Sequence, residues 1–162
     1  MRGALVLLAC VLLAGCARQP LLPDAAHCVA PEPATLLVRS GDTRLVVRSE
    51  RQGDEPVFVA LDMLGSPLFS ARQEGAALKV QSSGLYRGPD AVSLLQGLSW
   101  WQIRERITAQ CAGASGLELI TEERGLTLNR GPVVVWQWRA DQPQRFDLPE
   151  AGISVKVDEA SS

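Results

Sequence analysis

Val57-Phe58-Val59-Ala60-Leu61-Asp62-Met63 runs into Leu64-Gly65-Ser66-Pro67, and Leu68-Phe69-Ser70 then starts a new extended stretch. Val, Phe and Leu suit a pleated, half-buried surface. Successive side chains of a strand point to opposite faces. Val57, Val59, Leu61 and Met63 therefore share one face, and Phe58, Ala60 and Asp62 the other. Both faces are largely apolar. Gly65-Ser66-Pro67 breaks the run, because Pro lacks a ladder donor. Downstream come a strand to Gln73, a Glu74-Gly75 turn and a strand over Leu78-Lys79-Val80-Gln81. Upstream, Leu45 and Val47 alternate with Arg44, Val46 and Arg48, and the polar segment Arg51 to Pro56 turns into Val57. Short strands with tight turns of this kind form an antiparallel meander.

The period changes at Gly88-Pro89-Asp90. Asp90 can cap a helix by accepting from free backbone amides. Val92, Leu95, Leu98, Ile103 and Ile107 then fall near a helical spacing, and Gly97 and Ser99 predict a break into two short helices. Ala112 to Gly116 ends this insert, with Cys111 at the end of the main helix. Strands resume with Leu117 and Leu119 about Glu118, and with Leu126 and Leu128 about Thr127. The most apolar strand is Val133 to Arg139, and the last carries Ile153, Val155 and Val157. The order predicts a mainly β fold with a helical insert. It is a curled antiparallel sheet, an incomplete β-barrel, covered or plugged by one or two helices.

The N-terminus has a different logic. Arg2 precedes an uncharged stretch, Gly3 to Ala14, too short to span a bilayer but of the length of a secretory apolar region. It ends in Leu13-Ala14-Gly15-Cys16, which resembles the lipobox of bacterial lipoproteins. The resemblance implies that residues 1–15 are a removable signal and that Cys16 carries acyl chains; two or more such chains anchor stably. Ala17, rather than Asp, after the cysteine implies sorting to the outer membrane, facing the periplasm. Residues 16–34, with Pro20, Pro23, Pro31 and Pro33, read as the lipidated cysteine and a tether. The domain is expected over 35–158, with a tail at 159–162.

Removing 15 residues from 162 leaves 147, one domain's worth. The formal net charge of −2 becomes −3 with the loss of Arg2, and the absence of a basic patch in the sequence excludes nucleic acid as an expected partner. Of the four cysteines, Cys10 leaves with the signal and Cys16 carries lipid. Cys28 and Cys111 remain, and in a disulfide-permitting compartment they are expected to pair. A reactive or metal-binding Cys28 beside His27 is the competing reading. His27 is the only histidine, and no further Cys or His lies near it in sequence.

The segment from Val57 to Ile107 is similar to the middle of the LolB family, outer-membrane receptors for lipoproteins. The residues that carry the likeness are Leu64-Gly65-Ser66, Gly75, and Asp90-Ala91 with Leu94-Leu95. Gly65, Pro67-Leu68 and the Gly75 turn also resemble a family of lipoproteins related to LolB in fold and encoded beside aryl-polyene-type biosynthetic genes. The resemblance implies an incomplete β-barrel closed by helices around a cavity for acyl chains. It also implies an apolar-tipped loop after an early strand, and the segment taken to match it, Arg51 to Pro56, is polar. Leu98-Ser99-Trp100-Trp101 stands where that family has a Pro-rich, Trp-containing stretch.

No Gly-x-Ser-x-Gly elbow, phosphate loop or metal-ligand spacing occurs. Neither an enzyme activity, a cofactor nor a metal is expected, and Glu122-Glu123 reads as a solvated hairpin end. Trp136 and Trp138, two apart on one strand, share a face with Val134. They either line an acyl-binding cavity or fill a core, and the same question applies to Leu68 and Phe69 at a cavity rim. The expected function is a lipid-anchored protein that binds or hands on an acyl chain, a lipoprotein or another long apolar ligand. The alternative is a non-catalytic scaffold for a protein partner.

Overall fold

A computed structural model describes Leu22–Glu159 except Ala76. The signal segment, Cys16, the first part of the tether and residues 160–162 lie outside the described residues. Five strands come first: β1 (Ala34–Ser40), β2 (Thr43–Gln52), β3 (Glu55–Leu61), β4 (Pro67–Glu74) and β5 (Ala77–Ser82). Helix α1 (Ala91–Gln102), a single turn at Arg104–Arg106 and helix α2 (Ala109–Ala114) follow. The chain then forms β6 (Glu118–Glu122), β7 (Gly125–Arg130), β8 (Val133–Arg139), β9 (Arg145–Leu148) and β10 (Ile153–Glu159).

All ten strands join one open antiparallel sheet in the order β5-β4-β3-β2-β1-β10-β9-β8-β7-β6. The fold is an incomplete barrel with a helical insert. Each half is a meander of neighbours in sequence. The two halves meet where β1 pairs with β10, Val38 opposite Val157 and Arg39 opposite Lys156. The inward face carries Leu36, Val38, Leu45, Val47, Phe58, Ala60, Phe69 and Ala71 from one half. Leu128, Trp136, Phe146, Leu148, Val155 and Val157 come from the other. Burial of each large apolar side chain contributes about 1.5–3 kcal/mol.

Asp90 caps α1 by accepting from Ser93 N–H. The helix continues unbroken through Gly97 and Ser99, against the break expected there. A Cβ at position 97 would fall 2.3 Å from Phe146 Cε2, so glycine is what lets this helix sit close to the sheet. Ser99 returns its hydroxyl to Leu95 C=O at 2.8 Å instead of opening the helix. The break comes after Gln102, and Cys111 therefore sits on α2, not on the main helix. Strand β3 stops at Leu61 rather than Met63, because Asp62 starts a tight turn. Strands β1 and β9 were not distinguished individually in the sequence; β9 is only four residues long.

The tether segment is docked onto the domain from Leu22 onward. Leu22 is buried in the core. Asp24 N–H donates to Ser115 Oγ at 3.0 Å, and Asp24 Oδ1 accepts from the amides of Ala26 and His27. The expected Cys28–Cys111 disulfide is present, with Cα atoms 4.7 Å apart. Gln102 Nε2 donates to Glu32 C=O at 3.1 Å and ties the strap to the end of α1. Residues 22–33 thus form a strap over one end of the sheet.

The disulfide spans 83 positions. Closing a loop of that length stabilises a fold by about 4–5 kcal/mol in the chain-entropy model. Cys28→Ser with Cys111→Ser should lower unfolding stability by about that amount and speed amide exchange across the strap. Chemical denaturation and hydrogen exchange check this; an unchanged denaturation midpoint would contradict it.

Candidate functional site

The concave face is covered rather than open. Trp136, at the centre of β8, is 1% exposed. Its indole N–H donates to Gly97 C=O at 3.2 Å. Helix α1 is buried nearly all round: Leu94, Leu95 and Leu98 lie in the core, and so do Trp100 and Trp101. Trp138 lies on the same face, opposite Phe146 and Leu126, but at the rim. Its indole N–H donates to Pro143 C=O at 3.1 Å, and Trp101 Nε1 donates to the same oxygen at 2.9 Å. The Arg104 guanidinium sits 4.1 Å over the Trp101 ring and 6.0 Å over that of Trp138. A cation over an aromatic face is held by the ring quadrupole, so this rim is a tied cluster.

Leu68 and Phe69 are consecutive on β4 and face opposite ways. Phe69 is buried, its ring edge-on to Tyr86 with centroids 4.8 Å apart. The Tyr86 hydroxyl donates to Pro89 C=O. Burial, and then the Asp90 carboxylate, push its phenol up to about 12, which keeps it a donor. Leu68 is half-buried, and its carbonyl accepts from both Ser83 N–H and Ser83 Oγ–H. Five strands lie between β4 and β8 in the sheet, and the curled sheet brings Phe69 and Trp136 into one buried core, with Leu68 and Trp138 packed against it.

An apolar tip is present on a different hairpin from the one compared by sequence. The β3–β4 turn exposes Leu64 to 93% and Met63 to 56%, whereas the polar Arg51–Pro56 segment forms the preceding hairpin. The tip is held in shape. Asp62 Oδ1 accepts from Leu64 N–H and Ser66 N–H, both at 2.8 Å, and Asp62 N–H closes on Ser66 C=O at 2.9 Å. The amide of Ser66 chiefly holds the Asp62 carboxyl below the usual range; desolvation opposes it in part, and the Leu64 amide adds to the lowering. A depressed folded-state pKa means that the ordering is present above the ordinary carboxylate range and is lost as pH falls through the lowered value. Leu85, 69% exposed, lies at the same end of the sheet in the loop from β5 to α1. The signal for this tip was in the sequence as Met63-Leu64 before Gly65-Ser66-Pro67. Strand alternation had absorbed Met63.

A narrow cleft of about 60 Å³ lies between the strap and the ends of β2 and β3, with Phe58 and Gln102 in its lining. His27 pairs with Asp24 at 2.7 Å, and that hydrogen bond chiefly lowers the Asp24 carboxyl. The pair shapes the turn that presents Cys28. Among the described residues no group of three or more His, Cys, Asp or Glu is placed to hold a metal ion.

The two tryptophans are therefore unequal. Trp136→Ala should destabilise by about 3–5 kcal/mol, as for a large buried aromatic. Trp138→Ala, at the rim, should lower stability by clearly less. Urea unfolding of the single variants checks the order, and equal losses would contradict it.

The chain matches no protein-family model, no curated protein and no solved structure.

Proposed function

We propose that this chain is a lipid-anchored protein of the periplasm-facing side of the outer membrane, working at a bilayer surface. It binds or hands on an acyl chain, a lipoprotein or another long apolar ligand, and it acts by burial rather than by covalent chemistry. The observation that carries the reading is the β3–β4 tip. A leucine 93% exposed, on a turn fixed by Asp62, is an apolar group presented to the surroundings rather than to the core. Insertion of such a side chain into an apolar phase contributes about 1.5–3 kcal/mol. Leu85 at the same end adds to it. The lipobox-like Leu13 to Cys16 supports the anchor.

Ligand burial on the concave face goes with displacement of α1, since that helix occupies the face. Acyl burial at about 0.8 kcal/mol per methylene is the compensation for moving it. A second reading, a scaffold that binds a protein partner, is favoured by one specific observation: Trp136 is enclosed and hydrogen-bonded to Gly97. On that reading the interior stays filled, and the tip docks on protein.

Three measurements test these statements. In cells, Cys16→Ser should abolish labelling by radioactive palmitate and release the protein from the membrane fraction; normal attachment of that variant would refute the anchor. In vitro, a chain beginning at Ala17 should float with phosphatidylcholine vesicles, and Leu64→Ser should weaken that binding by about tenfold or more. Mass spectrometry of the purified domain should find bound lipid. An empty domain that ignores vesicles would leave the scaffold reading in place.

A further inference from the structure

Four cations stand in one cross-strand row. Arg44 on β2 opposes Arg39 on β1, Arg39 opposes Lys156 on β10, and Lys156 opposes Arg145 on β9. Directly opposed like charges destabilise a sheet. Neighbouring strands are about 4.8 Å apart, so the row crosses about 14 Å. Internal carboxylates compensate it only in part. Asp158 accepts from Arg39 Nη2 at 3.0 Å and stands 3.9 Å from Lys156 Nζ. Asp147 stands 4.0 Å from Arg145 Nε. Arg44 has no ion-pair or hydrogen-bond partner among the described residues.

Three of the four, Arg39, Arg145 and Lys156, line an open groove of about 770 Å³ walled by the β8–β9 loop. Arg145 Nε donates to Ser154 Oγ at 3.0 Å, which fixes the guanidinium. Its two terminal nitrogens have no partner among the described residues, nor do the side-chain amides of Gln142 and Gln144 in the wall. The Asp141 carboxylate in that wall is engaged by Arg139 at 3.3 Å. The groove is thus rich in unused donors.

We propose that this groove binds a phosphate-bearing ligand of sugar or headgroup size. A guanidinium fork matches phosphate oxygens in a bidentate way, and an ammonium adds a point charge. The free glutamine amides suit the hydroxyls of a sugar or glycerol. The volume lies within the usual range for small-molecule sites. The site is separate from the apolar tip and does not depend on the bilayer reading. Arg39 and Arg44 flank the β1–β2 turn, at the same end of the sheet as Leu64, so a lipid headgroup and a free sugar phosphate are the two sources of this chemistry.

The test uses the chain beginning at Ala17, which keeps the whole sheet, strap and core. Glucose 1-phosphate and glucose are titrated by calorimetry at low salt. In parallel, flotation compares phosphatidylglycerol-containing vesicles with pure phosphatidylcholine. Glucose 1-phosphate binding without glucose binding identifies a free phosphorylated sugar. A preference for phosphatidylglycerol identifies a headgroup. In whichever arm binds, Arg145→Gln with Lys156→Gln should weaken binding about tenfold or more. Leu64→Ser should leave glucose 1-phosphate binding unchanged, which separates this site from the tip. No binding in either arm, or equal binding by the double variant, would overturn the proposal.

Discussion

Helix α1 lies so close to the sheet that the Gly97 carbonyl receives the Trp136 indole N–H, and that approach is possible only without a Cβ at position 97. Much of the structure follows from this contact. With α1 seated, Leu94, Leu95, Leu98 and Trp100 lie in the core, and the concave face of the open sheet is covered. The far end of the helix is then positioned to act. Trp101 reaches Pro143 in the β8–β9 loop, and Gln102 reaches both Glu32 in the strap and Ser49 on β2. Interiors are close-packed, so a shift of α1 would be felt along all of these contacts.

The sheet has a second dependence, on the β1–β10 pairing. Each half is a meander with contacts local in sequence, whereas β1 and β10 lie at opposite ends of the domain. The Arg39–Asp158 ion pair crosses this seam, but it is only partly buried, and ion pairs within reach of water contribute little. Val38 and Val157, buried and opposite each other, hold the seam instead.

Much of the fold was legible because strand alternation and turn chemistry are local. Val57 to Ala60, Glu74-Gly75, the Asp90 cap and the strands of the second half follow from residues a few positions apart. The disulfide was legible from the count of cysteines and the expected compartment. What the sequence hid depends on contacts distant along the chain. Gly97 is a helix breaker by propensity; only Phe146, 49 positions later, makes glycine the fitting residue. Trp136 and Trp138 share a face by spacing, yet one meets α1 and the other meets Pro143. That difference arises from where the helix crosses, which no local pattern encodes. The tip was misplaced for another reason. An alternating run continued past Leu61 on paper, while Asp62 turned the backbone by taking two amides onto its carboxylate.

The strap links the proposed anchor to the cover of the concave face. Leu22 is six positions after Cys16, and six residues reach at most about 20 Å. A lipid on Cys16 would therefore hold the domain close to the bilayer. From Leu22 the path runs through Asp24 and Ser115 to α2, through Cys28 and Cys111 to α2 again, and through Glu32 and Gln102 to α1. One of these links is covalent and the others are single hydrogen bonds, each contributing about 0.5–1.5 kcal/mol net. The disulfide keeps the strap on α2 under any modest load, while the Gln102 contact to α1 can open. The strap is thus tied covalently to α2, and to α1 by a hydrogen bond that adds to the core packing of that helix.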